Sequence, residues 1–371
     1  MSRARMLTRV VALLTLVRVP LLAQEPADKL TPLQTKEALT DEDRATIRAA
    51  VSQHIATVVG TDPLAAQAAF RQLRGGLTGN KDFKDAYVGA TLDAISSTYK
   101  TAQAIPAARL FALLNVYNDP RSIPLLLEGL QDERTAVRAA AAVALGNLRS
   151  KIAADADALA RTVGALREAG KKEASREALQ LIYEALNLAE VQPTPDLKSC
   201  AAALLDILEE RIKQYDGGPV RGEGAEATAL QVGRAVRKAF DEAERKRYAV
   251  VLARLLHYGV KRYTSGDAPL GLVQDRLAGP DALTLRNATE VLVKEAEAQL
   301  SDLLAPSPAP QVAETMTRSK KLKAEDLAPM VAELNKWILI LNEKLGLDLP
   351  PLSAPAPGAP VTKPAAKPGK P

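Results

Sequence analysis

Apolar residues recur along most of this chain at spacings of three and four positions, which is the period of an amphipathic helix. The clearest case lies between residues 121 and 148. Pro124 suits the first turn of a helix, where its missing N–H is not needed. Leu126, Leu127 and Leu130 follow it at helical spacing. The pattern therefore predicts a short amphipathic helix that begins near Pro124.

A polar stretch at residues 131–134 separates this helix from a second one, which Asp132 or Thr135 is expected to cap. Gly146 lies inside the second helix at a cost of about 1 kcal/mol relative to alanine, and we expect close packing on the next helix pair to account for it. The apolar face of the second helix is rich in small residues that allow close approach, namely Val137, Ala140, Ala141, Ala144, Leu145 and Leu148.

The same period predicts helices on both sides of this hairpin. Thr40 with Asp43, and Asp62 before a proline, are typical of helix N-termini. The alternation of apolar and polar residues that is typical of strands is not prominent, so the predicted fold class is all-α. The further predicted helices lie at residues 40–58, 62–76, 81–100, 108–116, 159–169, 175–188, 196–215, 225–263 (two helices), 281–304 and 326–345.

The segment VRAAAAVALG at residues 137–146, preceded by Asp132 and by the Ile-Pro-Leu of residues 123–125, resembles a HEAT repeat of the short bacterial kind. The resemblance covers about thirty residues. It implies an α-solenoid of stacked antiparallel helix pairs of the armadillo type. It also implies that Asp132 and Arg138 pair between adjacent repeats as a structural ladder. The alternative is an ordinary alanine-rich hairpin.

A helix pair of this kind cannot bury its apolar face alone, so about three or more are needed for a stable array. The flanking segments are expected to be degenerate copies. Downstream, Arg176 and Ala178 stand 38 residues after Arg138 and Ala140. These neighbours lack the Ala-Leu-Gly ending of the central unit, so the array is expected to be regular only at its centre.

Changes in composition divide the chain. Arg3, Arg5 and Arg9 precede an apolar run at residues 10–23 that is too short to span a bilayer, which is the layout of a signal peptide; an uncleaved amphipathic N-terminus is the alternative. The predicted parts are a signal peptide at 1–23, a polar leader at 24–39, HEAT-like repeats at 40–215, a glycine-rich loop at 216–224, a C-terminal helical region at 225–349 and a disordered Pro/Ala/Lys tail at 350–371.

Net charge argues against a nucleic-acid-binding protein. The formal charge of the chain is +5. Four arginines in the first 23 residues and three lysines in the last 22 contribute seven positive charges, which leaves the body between them at about −2. Specific nucleic-acid binding requires a sustained basic face. The expected partners therefore include no specific nucleic acid, and the C-terminal tail is left as a possible electrostatic contact with an anionic wall or membrane.

Candidate catalytic and metal-binding residues are few. His54 and His257 fall on or beside apolar helix faces, and Cys200 lies on the apolar face of a predicted helix. One cysteine and two distant histidines do not match the ligand spacing of a zinc site. Paired carboxylates such as Glu209 and Glu210 lie next to basic residues and suit solvated ion pairs. We expect no catalytic residues, no metal and no cofactor.

The densest basic and aromatic region offers a candidate partner face. It contains Arg234, Arg237, Lys238, Arg245, Lys246, Arg247, Arg254, Lys261 and Arg262, with Tyr248, Tyr258 and Tyr263. An exposed helix face balanced by nearby acidic residues is the alternative. Within the resemblance to HEAT repeats, Val137, Arg138 and Ala141 are expected on the inner surface that contacts a partner.

The leading hypothesis is an exported, non-enzymatic scaffold or adaptor, periplasmic or secreted, that binds a protein partner of the cell envelope and has no transmembrane span. Stacked helix pairs create a long surface suited to that role. One alternative is an enzyme subunit of the HEAT-like lyase type, which the resemblance permits. The other is a polyanion-binding module at residues 234–262, whose affinity would fall with salt.

Overall fold

The structure is a computed structural model, and it describes residues 30–189, 191, 197–215, 221–265, 270–272, 279–318 and 324–354. Within these residues all regular secondary structure is helical. The predicted all-α class is therefore confirmed for the described part of the chain. The predicted signal peptide at 1–23, and the tail from residue 355 onwards, lie outside the described residues.

Fifteen α-helices occupy the described residues. They are α1 (Asp41–Val58), α2 (Pro63–Gly75), α3 (Lys81–Thr98), α4 (Ala104–Tyr117), α5 (Ile123–Gly129), α6 (Thr135–Asn147), α7 (Arg149–Ala153), α8 (Ala156–Lys172), α9 (Arg176–Ala185), α10 (Lys198–Tyr215), α11 (Glu226–Val236), α12 (Glu242–Thr264), α13 (Pro280–Leu304), α14 (Val312–Arg318) and α15 (Ala324–Leu345). None of them is both long and apolar enough to cross a membrane.

Local capping interactions explain where several helices begin. Thr40 and Asp43 form the predicted capping box of α1, in which each side chain accepts from the backbone N–H of the other residue. The Asp62 carboxylate accepts from two N–H groups in the first turn of α2, also as predicted. The predicted cap of α6 was wrong. Its N-cap residue is Arg134, and the Asp132 carboxylate accepts from the Arg134 N–H instead.

The helices pack in two series of successive neighbours. In the first series, α2, α4, α6, α9, α11 and α13 each contact the next helix of the series. In the second series, α5, α8, α10, α12 and α15 do the same. The two helices of each pair α5–α6, α8–α9, α10–α11 and α12–α13 also pack on one another. Each helix of these pairs thus contacts its partner helix, and each pair contacts the helices before and after it.

The predicted loop at 216–224 does not separate two cores. The apolar core is continuous from Leu30 near the start of the described chain to Leu341 in α15. Helices on both sides of the loop contact one another, because α10 packs on α11 and on α12, and α9 packs on α11. Residues 216–220 lie outside the described chain, while residues 221–225 form a turn.

Both ends of the described chain are more ordered than the sequence pattern indicates. The predicted leader includes a short 3-10 helix, Thr31–Thr35, and Leu30 and Leu39 are buried. At the other end, the predicted disordered tail was placed too early. Residues 350–354 belong to the described chain without forming a helix or strand, and Leu352 packs against the core.

Two helical glycines differ in what they require of the packing. An added Cβ at Gly129 would lie 2.1 Å from the ring of the fully buried Phe111 in α4, so α5 approaches α4 too closely for any side chain there. An added Cβ at Gly146 would meet Ala185 of α9 at 3.8 Å, which is ordinary van der Waals contact. The close packing expected at Gly146 therefore does not require glycine, whereas the packing at Gly129 does.

We expect opposite effects from the same substitution at these two positions. Gly146→Ala should stabilise the protein by up to about 1 kcal/mol, because alanine loses less backbone entropy in a helix and fits without a clash. Gly129→Ala should destabilise it by about 1–3 kcal/mol through overpacking against Phe111. Urea unfolding, with the slope of the transition compared between variants, measures both. A destabilised Gly146→Ala variant would contradict the packing described for α6 and α9.

Candidate functional site

Arg138 of α6 joins two successive helix pairs through a buried carboxylate. Its guanidinium donates to both oxygens of Glu173, from Nε at 2.7 Å and from Nη2 at 2.9 Å. It also donates to the backbone carbonyls of Asp132 and Glu133, each at 2.8 Å. The Glu173 side chain is only 1% exposed. Arg138 therefore holds the turn of its own pair and the turn of the next pair together.

The predicted ladder placed Asp132 and Arg138 in contacts between adjacent helix pairs, and the structure gives such a contact to Arg138 but pairs Asp132 with an arginine of its own turn. The Asp132 carboxylate binds the side chain of Arg134, whose hydrogen bonds hold the pKa of Asp132 below its ordinary value despite partial burial. Arg134 in turn donates to the backbone carbonyls of Tyr99 and Ala102, at the preceding turn.

Glu173 holds the position in its helix pair that Asp132 holds in the central one. Each residue lies three positions before the first residue of the following helix, Arg176 in α9 and Thr135 in α6. The structural offset between these pairs is therefore 41 residues and not the 38 expected from the spacing of Arg138 and Arg176. The carboxylate that Arg138 binds comes from the next helix pair, where the sequence has glutamate.

Contacts of similar sequence separation recur along the chain. Side-chain hydrogen bonds and ion pairs join residues that lie 32 to 41 positions apart. They are Arg44 with Asp82, Arg121 with Asp85, Arg134 with the Tyr99 carbonyl, Asn147 with Asn115, Arg138 with Glu173, Arg149 with the Asn187 carbonyl, Arg167 with Asp206, and Arg247 with Asp206. Each spans about one helix pair, so neighbouring pairs are joined along much of the described chain.

Burial removes part of the predicted partner face. Val137 and Ala141 are fully buried in the packing of α6 between α4 and α9, so they cannot contact a partner. Tyr248 of α12 is also fully buried, and its hydroxyl donates to the Gln299 side chain at 2.9 Å. Arg138 is partly exposed but occupied by Glu173. These four residues therefore serve the core and the contacts between helix pairs.

Part of the basic region at residues 234–262 is paired with carboxylates of neighbouring elements. Arg234 of α11 and Arg237, directly after it, pair with Glu295 and Asp302 of α13 at 2.7 and 2.8 Å. Arg247 binds Glu209 and Asp206 of α10, Arg262 binds Glu223, and Tyr263 is buried. The other basic residues of the region are exposed, namely Lys238, Arg245, Lys246, Arg254 and Lys261. Four of the nine basic residues thus join helices to their neighbours, and five face solvent.

A buried polar cluster that the sequence pattern did not single out lies at the 216–224 loop. Arg211 of α10 and Glu226 of α11 are 1% and 0% exposed, and the Arg211 Nε donates to Glu226 at 2.7 Å. The other Glu226 oxygen accepts from the Tyr215 hydroxyl at 2.5 Å and from the Gly224 N–H at 3.2 Å. Arg211 also donates to the Arg221 carbonyl at 2.9 Å.

This cluster fixes a turn that the glycine content suggested to be a flexible connection. Gly222 and Gly224 adopt positive φ angles of 77° and 93°, which glycine accepts without strain. Burial alone would lower the pKa of Arg211, but the Glu226 carboxylate more than offsets it, and the pKa lies above its ordinary value. Burial and the same carboxylate raise the pKa of Tyr215. The sequence contains one indication of this cluster, because Arg211 lies on the apolar helix face that also contains Leu204 and Leu208.

The histidines and the cysteine occupy the structural positions expected of them. His54 is half-buried in α1, and Cys200 is buried in α10. His257 of α12 lies with its Nε2 3.0 Å from the Pro350 carbonyl, and burial lowers its pKa. Within the described ranges, no group of three or more His, Cys, Asp or Glu side chains is arranged to hold a metal ion.

Two open surface depressions are lined by residues of the described chain. One is lined by polar and charged side chains of the N-terminal part, which include Glu37, Lys81, Asp82 and Asp85. The other lies between α5 and α8 and is lined by Pro120, Arg121, Ile123, Pro124, Lys151, Asp155, Ala158 and Arg161. Both are open to solvent, unlike the enclosed pockets that bind small molecules.

No protein-family model, curated protein or solved structure matches this chain. The relation to HEAT repeats consequently stays a resemblance carried by residues 123–146.

The Arg138–Glu173 pair gives a pH-dependent prediction. Burial alone would raise the pKa of Glu173, but Arg138 and two backbone N–H groups hold it below 4.5. A carboxyl with a lowered pKa stabilises the fold above its unfolded pKa, and this contribution is lost as the pH falls. Arg138→Ala should destabilise the protein by about 2–4 kcal/mol at pH 7, because it leaves a buried carboxylate without its counter-charge.

The loss of stability caused by Arg138→Ala should become smaller towards pH 4. In this variant the unpaired Glu173 is expected to have a raised pKa and to bind a proton on folding. Urea unfolding at several pH values measures this change. Arg318→Ala removes an exposed pair with Glu314 in α14 and serves as the matched control, with an expected change below about 0.5 kcal/mol. An Arg138→Ala deficit that is the same at pH 4 and pH 7 would contradict the assignment.

The Arg211–Glu226 cluster predicts strong coupling in a double-mutant cycle. Arg211→Met and Glu226→Gln should each destabilise the protein by about 3–5 kcal/mol, because each leaves one buried charge unpaired. The double variant should be less destabilised than the sum of the two, since it removes both charges and keeps an amide oxygen for Tyr215. The exposed Lys213–Glu210 pair on the same helix is the control, for which additive and small effects are expected. Additive effects at Arg211 and Glu226 would refute the pairing.

Proposed function

We propose that this protein is an exported, non-enzymatic scaffold or adaptor in which stacked helix pairs form an α-solenoid of the HEAT type that binds a protein partner of the cell envelope. The recurrence of contacts 32 to 41 residues apart is the observation that carries this proposal. Such contacts are the expected result when each structural repeat touches only its neighbours. Repetition of this kind produces an extended surface, which suits binding to another protein better than to a small molecule.

The continuity of packing supports an extended surface over most of the chain. The first series of helices runs from α2 to α13, and the second from α5 to α15. Neither series is interrupted at the turn that Arg211 and Glu226 hold. We therefore propose that the C-terminal helical region continues the repeat array as longer helix pairs.

The use of charged residues also favours a structural role. Arg138 and Arg211 are each bound by a carboxylate of a neighbouring helix or turn. Four basic residues of the region 234–262 also pair with carboxylates, namely Arg234, Arg237, Arg247 and Arg262. These pairs reduce the number of cationic groups that are free to meet phosphates, which counterion release requires, and they favour the scaffold over the polyanion-binding alternative.

Two exposed apolar side chains indicate where a partner could bind. Leu64 and Ile105 are 71% and 58% exposed. Each is the second residue of its helix, and the two helices, α2 and α4, pack on one another. We propose that the N-terminal ends of α2 and α4 belong to the partner-binding surface. Export is proposed from the basic and apolar layout of residues 1–23.

A photo-crosslinking residue placed at Leu64 or Ile105 of the full chain in its native host should capture the same envelope protein at both positions. Leu339 in α15 is 72% exposed and provides the control position, which should not yield that product. Mass spectrometry of the cross-linked species identifies the partner, and the mass of the purified chain reports whether residues 1–23 have been removed. Identical products at all three positions, or none in common between Leu64 and Ile105, would overturn the proposed surface.

Solution scattering tests the solenoid separately from the partner. A compact chain of this length has a radius of gyration of about 21 Å. We expect a clearly larger value, with an asymmetric distribution of interatomic distances that extends to long separations. A compact, symmetric distribution would refute the solenoid, whatever the crosslinking experiment gives.

A further inference from the structure

The segment that follows the last helix is bound to that helix by two asparagine side chains. Gly346 adopts a positive φ of 66° directly after α15, and residues 346–354 form no helix or strand. Asn342 accepts from the Leu349 N–H at 3.0 Å and donates to the Leu349 carbonyl at 3.2 Å. Asn335 makes the same two contacts with Leu352, each at 3.0 Å. The order of these contacts shows that the segment runs antiparallel to α15.

The spacing of the two asparagines matches the spacing of the two leucines. Seven residues of α-helix span about 10.5 Å, at about 1.5 Å per residue. Three residues of extended or polyproline-II backbone span about 9–10 Å, at about 3.1–3.3 Å per residue. One asparagine every two helical turns can therefore meet every third residue of an extended peptide without strain in either chain.

The sequence of the bound segment leaves no backbone donor unused between the two leucines. Residues 350 and 351 are prolines, which have no N–H. The remaining N–H groups, those of Leu349 and Leu352, are the ones that the asparagines accept. Proline also restricts the free segment to extended conformations, which reduces the entropy lost on binding.

A second helix completes the contact. The Nε2 of His257 in α12 donates to the Pro350 carbonyl at 3.0 Å, and α12 packs on α15. Leu347, Leu349 and Leu352 are half-buried and pack against the core. Asn335, Asn342 and His257 thus bind the main chain of the segment, and the core contacts its leucine side chains.

We propose that the surface formed by Asn335, Asn342 and His257 is a binding groove for extended peptides of the pattern Leu-Pro-Pro-Leu, and that residues 347–352 of this chain are its resident ligand. The groove holds the start of the Pro/Ala/Lys tail against the last helix pair. A peptide of the same pattern supplied from outside enters the groove once the resident segment leaves it. This site is independent of the partner surface proposed at α2 and α4.

Competition between the resident segment and an added peptide provides the test. The probe is a fluorescent peptide with the sequence of residues 347–354, titrated against the full chain. In Leu349→Asp/Leu352→Asp the resident segment should leave the groove, and the probe should bind at least tenfold more tightly than to the wild-type chain, where a tethered competitor has an effective concentration in the millimolar range. Adding Asn335→Ala/Asn342→Ala to that variant should abolish binding, whereas adding Leu339→Ala, an exposed residue of the same helix, should not.

Two results would contradict the proposed groove. One is equal binding of the probe with and without the Asn335→Ala/Asn342→Ala substitutions, and the other is equal binding to the wild-type chain and to Leu349→Asp/Leu352→Asp. Circular dichroism and the fluorescence of Trp337, the single tryptophan, which is fully buried, report whether each variant is folded.

Hydrogen exchange gives a second test that does not require release of the segment. The Leu349 and Leu352 amides should be protected in the wild-type full chain, and Asn335→Ala/Asn342→Ala should lower the protection of both at least tenfold. Leu339→Ala should leave it unchanged. Unaltered protection in the asparagine variant would show that these side chains do not hold the segment and would overturn the proposal.

Discussion

Each helix pair needs a neighbouring pair to bury its second apolar face, and the rest of this structure depends on that constraint. A helix such as α6 buries Val137, Ala141 and Leu145, and it packs on α4 and α9 as well as on α5 of its own hairpin. An isolated pair would leave one apolar face in water, at a cost of about 25 cal/mol for each Å² of exposed apolar surface. Stability is therefore shared along the chain, and the apolar core extends without a break from the first described residues to α15.

Charged residues add specificity to this apolar packing. Arg138 binds a buried carboxylate of the following helix pair, Arg211 binds a buried carboxylate of the partner helix in its own pair, and both donate to backbone carbonyls of a turn as well. Replacing such pairs with apolar residues often leaves stability unchanged, so their main contribution is to fix one arrangement of neighbouring elements. In this protein Arg138 fixes how one helix pair is set against the next, and Arg211 fixes the turn at Gly222 and Gly224 within its own pair.

The helix pairs at the two ends of the described chain have a neighbouring pair on one side only. Other segments of the chain cover their remaining apolar surface. At the N-terminal end, Leu30 and Leu39 are buried around a short 3-10 helix. At the C-terminal end, the leucines of residues 347–352 cover part of α12 and α15, and Asn335 and Asn342 satisfy the backbone of that segment. Both segments therefore cover apolar surface at the two ends of the described chain.

The sequence by itself determined the helices and most of their limits. The capping box of Thr40 and Asp43, the Asp62 cap and the apolar stripes involve residues within about four positions of one another, so they can be seen without the fold. Tertiary structure alone decided that Arg138 meets Glu173, that Tyr248 is internal, that Gly129 and not Gly146 must be glycine, and that residues 349–352 lie on α15. These outcomes depend on how helices far apart in the chain stack, and the local pattern of apolar and polar residues contains no information about that distance or register.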